Sequence, residues 1–411
     1  MFFDQTGPMR IQLHAFSTLT LAALLQASAA RATDANPLPD GLVIDLRYRH
    51  AHIDEAGFSQ SANADTLRIT LGYLWQLAPD WSAYAEGTRV VSFGDSYNSG
   101  ANGMTHRPME GDPPSSEISS AWLGYDNGDE RVRVGRQYVN LDNQRFFTSG
   151  LWRQNPQSFD AFNGTWTVAA TGTTLQYLHL NEAQRSVGHD YPDPTQREWS
   201  LDANLFHVDQ KLVIGTLSGY EYLVENDTTL KYSWRTAGLR WTGAQSLLFG
   251  NLGWTAEVAQ QHAWRNNPGR YAADYHLLEL TYGVPALSLR AGDELRGGDG
   301  HNAFSSPYGS NHAFDGWTNQ FKNTPANGVE DRYFGVFGKL GDRFTWSALA
   351  HNFFADRGRQ RYGSEINAML GCALQNGVSV EIDYASYHRD TFGNSERELW
   401  LTLEYRNGKR N

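Results

Sequence analysis

The stretch "DTLRITLGYLW", Asp65 to Trp75, sets Leu67, Ile69, Leu71, Tyr73 and Trp75 on one side of an extended chain and Arg68 and Thr70 on the other. Strict alternation with period two belongs to a β-strand with two unlike faces, because successive strand side chains point in opposite directions. The pattern recurs in "GLVIDLRYRH" (41–50), "SEINAMLGCAL" (364–374), "NGVSVEIDYASY" (376–387) and "ERELWLTLEY" (396–405). Similar segments start near Trp81, Ile118, Arg131, Phe159, Thr173, Trp199, Lys211, Tyr232, Gly253, Tyr271, Leu287, Tyr333 and Phe344. Together they predict about 18 strands, and no stretch shows sustained helical spacing.

Short polar links such as "DNGDER" (126–131) and "LQNG" (374–377) join some segments, while Gly/Asn/Pro-rich stretches at 94–116, 184–197 and 296–330 separate others. Short turns on one side and long loops on the other are the asymmetry of an outer-membrane barrel. The apolar face persists through nearly every segment and carries Tyr and Trp near segment ends, as interfacial girdles do. With 40 glycines and 13% aromatics in 411 residues, the composition fits long two-faced strands. The low mean hydropathy is compatible with this, since a polar lumen face offsets a lipid face in any average. The expected fold is therefore all-β: a transmembrane antiparallel β-barrel of about 18 strands, one domain over 33–411. A secreted soluble β-sandwich is the rival, but sandwiches bury such a face in about 100 to 250 residues.

The N-terminus supports export. Arg10 is followed by "IQLHAFSTLTLAALLQASAA" and by Ala30-Arg31-Ala32, the layout of a signal peptide over 1–32, with Met1 or Met9 as its start. That apolar run is shorter than the about 20 residues a membrane helix needs, and no apolar run of 18 follows it. Cleavage takes Asp4, Arg10 and Arg31 from totals of 45 acidic and 34 basic residues, leaving 44 and 32. A net charge of −12 argues against nucleic acid, whose phosphates want a basic face. Cys372 is the sole cysteine, so neither an internal disulfide nor a thiolate metal site is available.

If apolar positions face lipid, the alternate positions face a lumen. That parity turns Arg47, Arg49, Arg68, Arg131, Arg133, Arg240 and Arg290 inward, with Asp45, Asp202, Glu294, Glu365, Glu381, Asp383, Glu398 and Glu404. Arginine or lysine on the lipid face costs about 2–4 kcal/mol near the midplane, so the lumen is the cheaper side. Charged lumen residues often only pair with one another; as a set, arginines on neighbouring strands also suit carboxylate solutes.

The segment "GRQYVNLDNQRFFTSGLWRQNPQSFDAFNG" (135–164) holds three Arg, four Gln, four Asn and six aromatics. It is too polar for lipid and too aromatic for a floppy loop. Gly135 is a candidate bulge that re-aims Arg136 or Gln137 into the lumen. Residues 140–157 are expected to fold inside the barrel or across its mouth, pinned by Trp152 and Phe146-Phe147. Arg145, Arg153, Gln144, Gln154 and Asn155 would then offer donors to a polar solute, and rings mixed with planar hydrogen-bonding groups suit sugars. An inward loop that only braces the barrel is an equally available reading.

"VRVGRQ…LDNQRF…WRQNPQSFDAF" and "GDGHNAFSSPYGSNHAFDGWTNQF" (298–321) resemble the outer-membrane alginate-export family. The resemblance implies an 18-stranded barrel passing an anionic uronate polysaccharide through an arginine-lined constriction, with export the favoured direction. Its further implied partners are outer-membrane lipids of a Gram-negative bacterium and periplasmic export proteins. By motif it carries over Arg136, Gln137, Asp142, Asn143, Gln144, Arg145, Trp152, Arg153, Gln154, Asn155 and Asp160. The sequence departs from the pattern in its polar ending "LEYRNGKRN" and in the acids mixed among the lumen arginines. An uptake role for small sugars or carboxylates therefore stays open.

An enzyme is the contrasting class. The chain has no His-Glu-x-x-His and no Gly-x-Ser-x-Gly, and Ser386, His388 and Asp390 lack evidence of a triad. No cofactor motif is present; Asp293, Asp299 and "GGDGHN" offer oxygen ligands for a loop calcium ion, but their spacing fails the EF-hand template.

Overall fold

The computed structural model describes residues 40–310 and 312–407, so the expected signal peptide lies outside the described residues. The first strands are β1 (Leu42–Glu55), β2 (Ala62–Ala78), β3 (Trp81–Ser92), β4 (Ser115–Asp126), β5 (Glu130–Gln137) and β6 (Ser158–Val168). Next come β7 (Thr173–Gln184), β8 (Glu198–Lys211), β9 (Thr216–Asn226), β10 (Trp234–Leu247), β11 (Gly250–Ala263) and β12 (Ala272–Val284). The last are β13 (Leu287–Arg296), β14 (Val329–Leu340), β15 (Phe344–Phe354), β16 (Arg361–Ala373), β17 (Val378–Arg389) and β18 (Glu396–Asn407). Each pairs antiparallel with its neighbours in sequence, and β1 also pairs with β18 (Tyr48↔Leu403), closing an 18-stranded barrel. Closure leaves no edge strand, so backbone groups at membrane depth are satisfied by the ladder.

Links alternate in length around the ring. The turns at 79–80, 248–249 and 285–286 are at the end that holds the start of β1 and the end of β18, while 93–114, 138–157 and 297–328 are at the other. By the usual asymmetry the first end is periplasmic and the second extracellular. The alternation read from the sequence sorts the wall as expected. Leu71 is 55% exposed on the lipid side, while Arg68 on the same strand is fully buried. Leu278, Leu280 and Leu289 continue the lipid face, and Asp45, Arg47, Arg49, Glu257 and Glu365 line the interior.

Three expectations change. The strand placed near Lys211 begins at Thr216, because the apolar run "LVIG" (212–215) is a turn: Gly215 has φ +90°, and Leu212 N–H donates to the Gly215 carbonyl at 2.9 Å. Asp202 lies between the buried Leu201 and Ala203 and is exposed beside His179, so it faces outward. Gly135 has φ +119°, and a Cβ there would run into the Ala121 carbonyl, yet the β4–β5 and β5–β6 registers pass through it unshifted. The nearby shifts fall at Glu86/Gly87 and Asp160/Ala161 instead.

Candidate permeation site

Two long extracellular links turn into the barrel and meet there. Loop 138–157 leaves β5 at Gln137, whose Nε2 donates to the carbonyls of Gly135 (3.2 Å) and Ala161 (3.0 Å). Asn140 Oδ1 accepts from Ser149 N–H and Thr148 Oγ1, and Asp142 and Gln144 adopt positive φ, which curls the loop tightly. Its Phe146 and Phe147 are then driven into an aromatic cluster with wall residues Tyr222, Trp234 and Tyr275. Loop 297–328 supplies the facing side: Tyr308 stacks on Phe147 (5.4 Å, 7°) and Phe304 packs on Phe146 (5.5 Å). Burying each large ring is worth about 1.5–3 kcal/mol, ample reason for polar loops to fold inward. Backbone bonds stitch them together, Thr148 N–H to Tyr308 O and Ser310 N–H to Gln144 O, both 2.9 Å.

Arg145 locks that junction. Its Nε donates to Glu294 (2.7 Å), Nη2 to Asp315 (2.6 Å) and Nη1 to the Ser310 carbonyl (3.1 Å); Arg296 shares Asp315 at 2.7 Å. Burial pulls the Arg145 pKa down, but the charges of Asp315 and Glu294 outweigh it and hold the group above its ordinary value. Asp315 shows the converse: burial raises its pKa, and Arg145 with Arg296 bring it below the usual carboxylate range.

A second clamp holds the tip. Arg47 donates to the carbonyls of Leu151 (2.7 Å) and Trp152 (3.1 Å), Arg49 to Trp152 (2.6 Å), and Arg68 to Leu151 (3.2 Å) and Arg153 (3.1 Å). Each guanidinium also has a carboxylate: Arg47–Glu404 (2.8 Å), Arg49–Asp112 (3.5 Å) and Arg68–Asp45 (3.1 Å). Gln154 donates to Thr66 Oγ1 and Asn155 to the Pro113 carbonyl, both fully buried.

Much of the set expected to line the pore is therefore closed to it. Arg145, Gln137, Gln154 and Asn155 are buried structural groups, and Arg47, Arg49 and Arg68 grip loop carbonyls. Arg136 and Asp160 form a two-pronged ion pair (2.8 Å each) on the outer wall, since Asp160 lies between the buried Phe159 and Ala161. The strand turns Gln137, not Arg136, inward. Asp142 pairs with His207 (3.1 Å), Asn143 accepts from Arg145 N–H, and the exposed Gln144 accepts from Thr148. Lower in the barrel Arg133 lies over Trp122 (4.0 Å), Arg240 pairs with Glu257 (2.7 Å) and Arg290 approaches Glu279 (3.7 Å). Arg240, Thr242, Trp254, Thr255, Glu279 and Thr281 border a lumen recess of about 470 Å³. Arg131 sits at the periplasmic rim, paired with Asp126.

Arg153 and Lys322, one on each inward loop, have no carboxylate within 4.0 Å among the described residues. Lys322 has its pKa lowered by partial burial and by the charge of Arg153. Beside Arg153 the rings of Trp152, His312 and Trp317 are stacked. Lys322, His312 and Trp317 escaped residue-level reading, because nothing local in 297–328 says which side chains meet loop 138–157. The family-like segment 298–321 was the one available signal. The notion of a loop calcium site gains no shared geometry: Asp293 pairs with His276 (2.8 Å) and Arg332 (3.2 Å) on the outer wall, while Asp299 Oδ1 accepts from His301 and Asn302 N–H in its own turn. His388 and Asp390 lie 3.9 Å apart at the outer rim, with His388 largely exposed.

A closed 18-stranded barrel with a lipid-facing belt and inward loops defines an outer-membrane channel, with its place in the Gram-negative outer membrane. The alginate-export family model matches residues 41–181, bearing out the resemblance read from 132–162; the second segment of that resemblance, 298–321, lies outside the match. Similar solved structures are Pseudomonas aeruginosa OpdL (16% identity, TM-score 0.68, covering 89% of this chain and 98% of that one) and OccK9, or OpdG (13%, 0.69, 89% and 98%). OpdK of the same species, solved with vanillate, is similar too (14%, 0.68, 89% and 98%). No curated protein matches the chain.

Proposed function

We propose that the protein is a passive channel for acidic saccharides, with short uronate oligomers as the leading cargo. The observation that carries this is the pair Arg153 and Lys322, free of carboxylate partners within ion-pair distance among the described residues, with Arg153 6.0 Å from the Trp152 ring and Lys322 within reach of its charge. Such cations lower the cost of taking a carboxylate from bulk water, and the rings orient sugar faces; binding must stay weak for the solute to leave. The family match over 41–181 supports a uronate cargo. A passive channel moves solute down its gradient, so export or uptake follows from which side supplies the sugar. A second reading, passage of small carboxylates, draws support from the loops that pack the extracellular half and from the OpdK structure with vanillate.

In planar bilayers, a 1,4-linked uronate trisaccharide should interrupt the current of the purified channel more than the matching neutral trisaccharide. Replacing Arg153 and Lys322 together by Ala should weaken that block by about fivefold or more, the scale of one or two exposed ion pairs. Equal block by the neutral sugar would refute an acidic cargo.

A further inference from the structure

We propose that the space between Trp152 and Trp317 is a sugar-ring subsite which the chain fills with its own His312, and that an acidic saccharide opens the passage by displacing that imidazole. This rests on the channel reading above and adds a competitor to it. The imidazole lies 3.5 Å from the Trp152 ring at 18° and 5.3 Å from the Trp317 ring at 20°, so three flat groups form one column. Trp400 stands edge-on to both Trp152 (5.6 Å, 85°) and His312 (5.8 Å, 86°) and walls off one side. The far face of Trp152 carries the Arg49 guanidinium at 4.2 Å, with that of Arg153 at 6.0 Å. A ring held between two indoles, with the Arg153 guanidinium beside one of them, is how a uronate would be received: the C–H faces of the pyranose on the indoles, the carboxylate toward Arg153.

His312 is a poor permanent tenant of that slot. Its Nδ1 is buried with no hydrogen-bond partner, and a buried unmade bond is a standing cost. Burial, then the charges of Arg49 and Arg153, push its pKa well below the ordinary value, so it sits there neutral and gives Arg153 no counter-charge. The backbone of Trp317 also hydrogen-bonds the imidazole, yet both tryptophan residues have backbone ties that do not involve it. The carbonyl of Trp152 accepts from Arg47 and Arg49, while Trp317 N–H donates to Glu365 Oε1 at 2.5 Å. Removing the imidazole therefore leaves both slot walls tied to the barrel. The closure is also a link between loops, because Trp152 belongs to 138–157 and His312 to 297–328.

The test is single-channel recording of the full-length protein and of His312→Ala and His312→Ala/Trp317→Ala, with barrel assembly checked by heat-modifiable gel migration. His312→Ala should raise conductance in plain salt and tighten block by the uronate trisaccharide roughly two- to tenfold, the worth of one ring-on-ring contact no longer competed away. Removing Trp317 as well should abolish the gain. A parent channel that conducts and is blocked by uronate, with His312→Ala within experimental scatter of it in both respects, would overturn the displacement while leaving the channel reading intact. Silence of parent and His312→Ala alike would overturn both.

Discussion

Arg145→Ala should loosen the two inward loops without unravelling the barrel. The guanidinium makes three charged contacts at 2.6 to 3.3 Å, two to Glu294 and one to Asp315, and is fully buried. Truncation leaves Arg296 for Asp315, while Glu294 loses its ion-pair partner within a buried junction. Breaking a buried ion pair from one side costs about 3–5 kcal/mol, because a charge stays buried without compensation. The cost falls on the loop junction, since Arg145 belongs to no strand and the 18-strand ladder does not depend on it. At 1.4 kcal/mol per decade, that is about two to three and a half orders of magnitude in local opening. Hydrogen exchange at Thr148 and Ser310, whose N–H groups bridge the loops, reads the change directly. Both amides should exchange at least about a hundredfold faster, with those of β1 and β2 unaffected. Exchange within threefold of the parent would refute the reading of Arg145 as the lock and reopen it as a solute contact.

Leu280→Arg should destabilise the folded barrel in lipid by about 2–4 kcal/mol, whereas Thr281→Arg, one residue on and lining the lumen recess, should cost much less. Equal costs in a chemical-denaturation titration would contradict the assigned faces. In loop 93–114, burial and then the charge of Asp112 push the Glu110 carboxyl up to about 7. Its folded pKa thus exceeds the unfolded value of about 4.3, so the stabilisation is complete below about 4.3 and is lost as pH rises through about 7. Protection of Glu110 N–H, which donates to the Asn98 carbonyl, should fall between pH 5 and 8 (on the order of a tenfold change). Glu110→Gln should flatten that dependence; protection that grows with pH would contradict the assignment.

The strands and their faces were legible in the sequence because a two-faced strand in a membrane obeys a local rule: lipid and lumen alternate with every residue, as Leu67, Arg68 and Ile69 show. Loop lengths were legible for the same reason, as the gaps where alternation stops, and the odd composition of 135–164 foretold an inward segment. Which of its polar groups would face a solute was not legible. Arg145 and Arg153 look alike in sequence, yet one is matched by Glu294 and Asp315, 149 and 170 residues away, and the other by no carboxylate at ion-pair distance among the described residues. Asp202 shows the same limit: Leu201, Ala203 and Leu205 pack inward on the apolar cluster that the distant loops bring into the barrel, which leaves Asp202 on the outer face, and Asp160, carried over by motif, pairs with Arg136 on that face too. Alternation is set by the bond geometry of neighbouring residues, whereas charge pairing and the Trp152–His312–Trp317 column arise only when distant loops meet inside a closed wall.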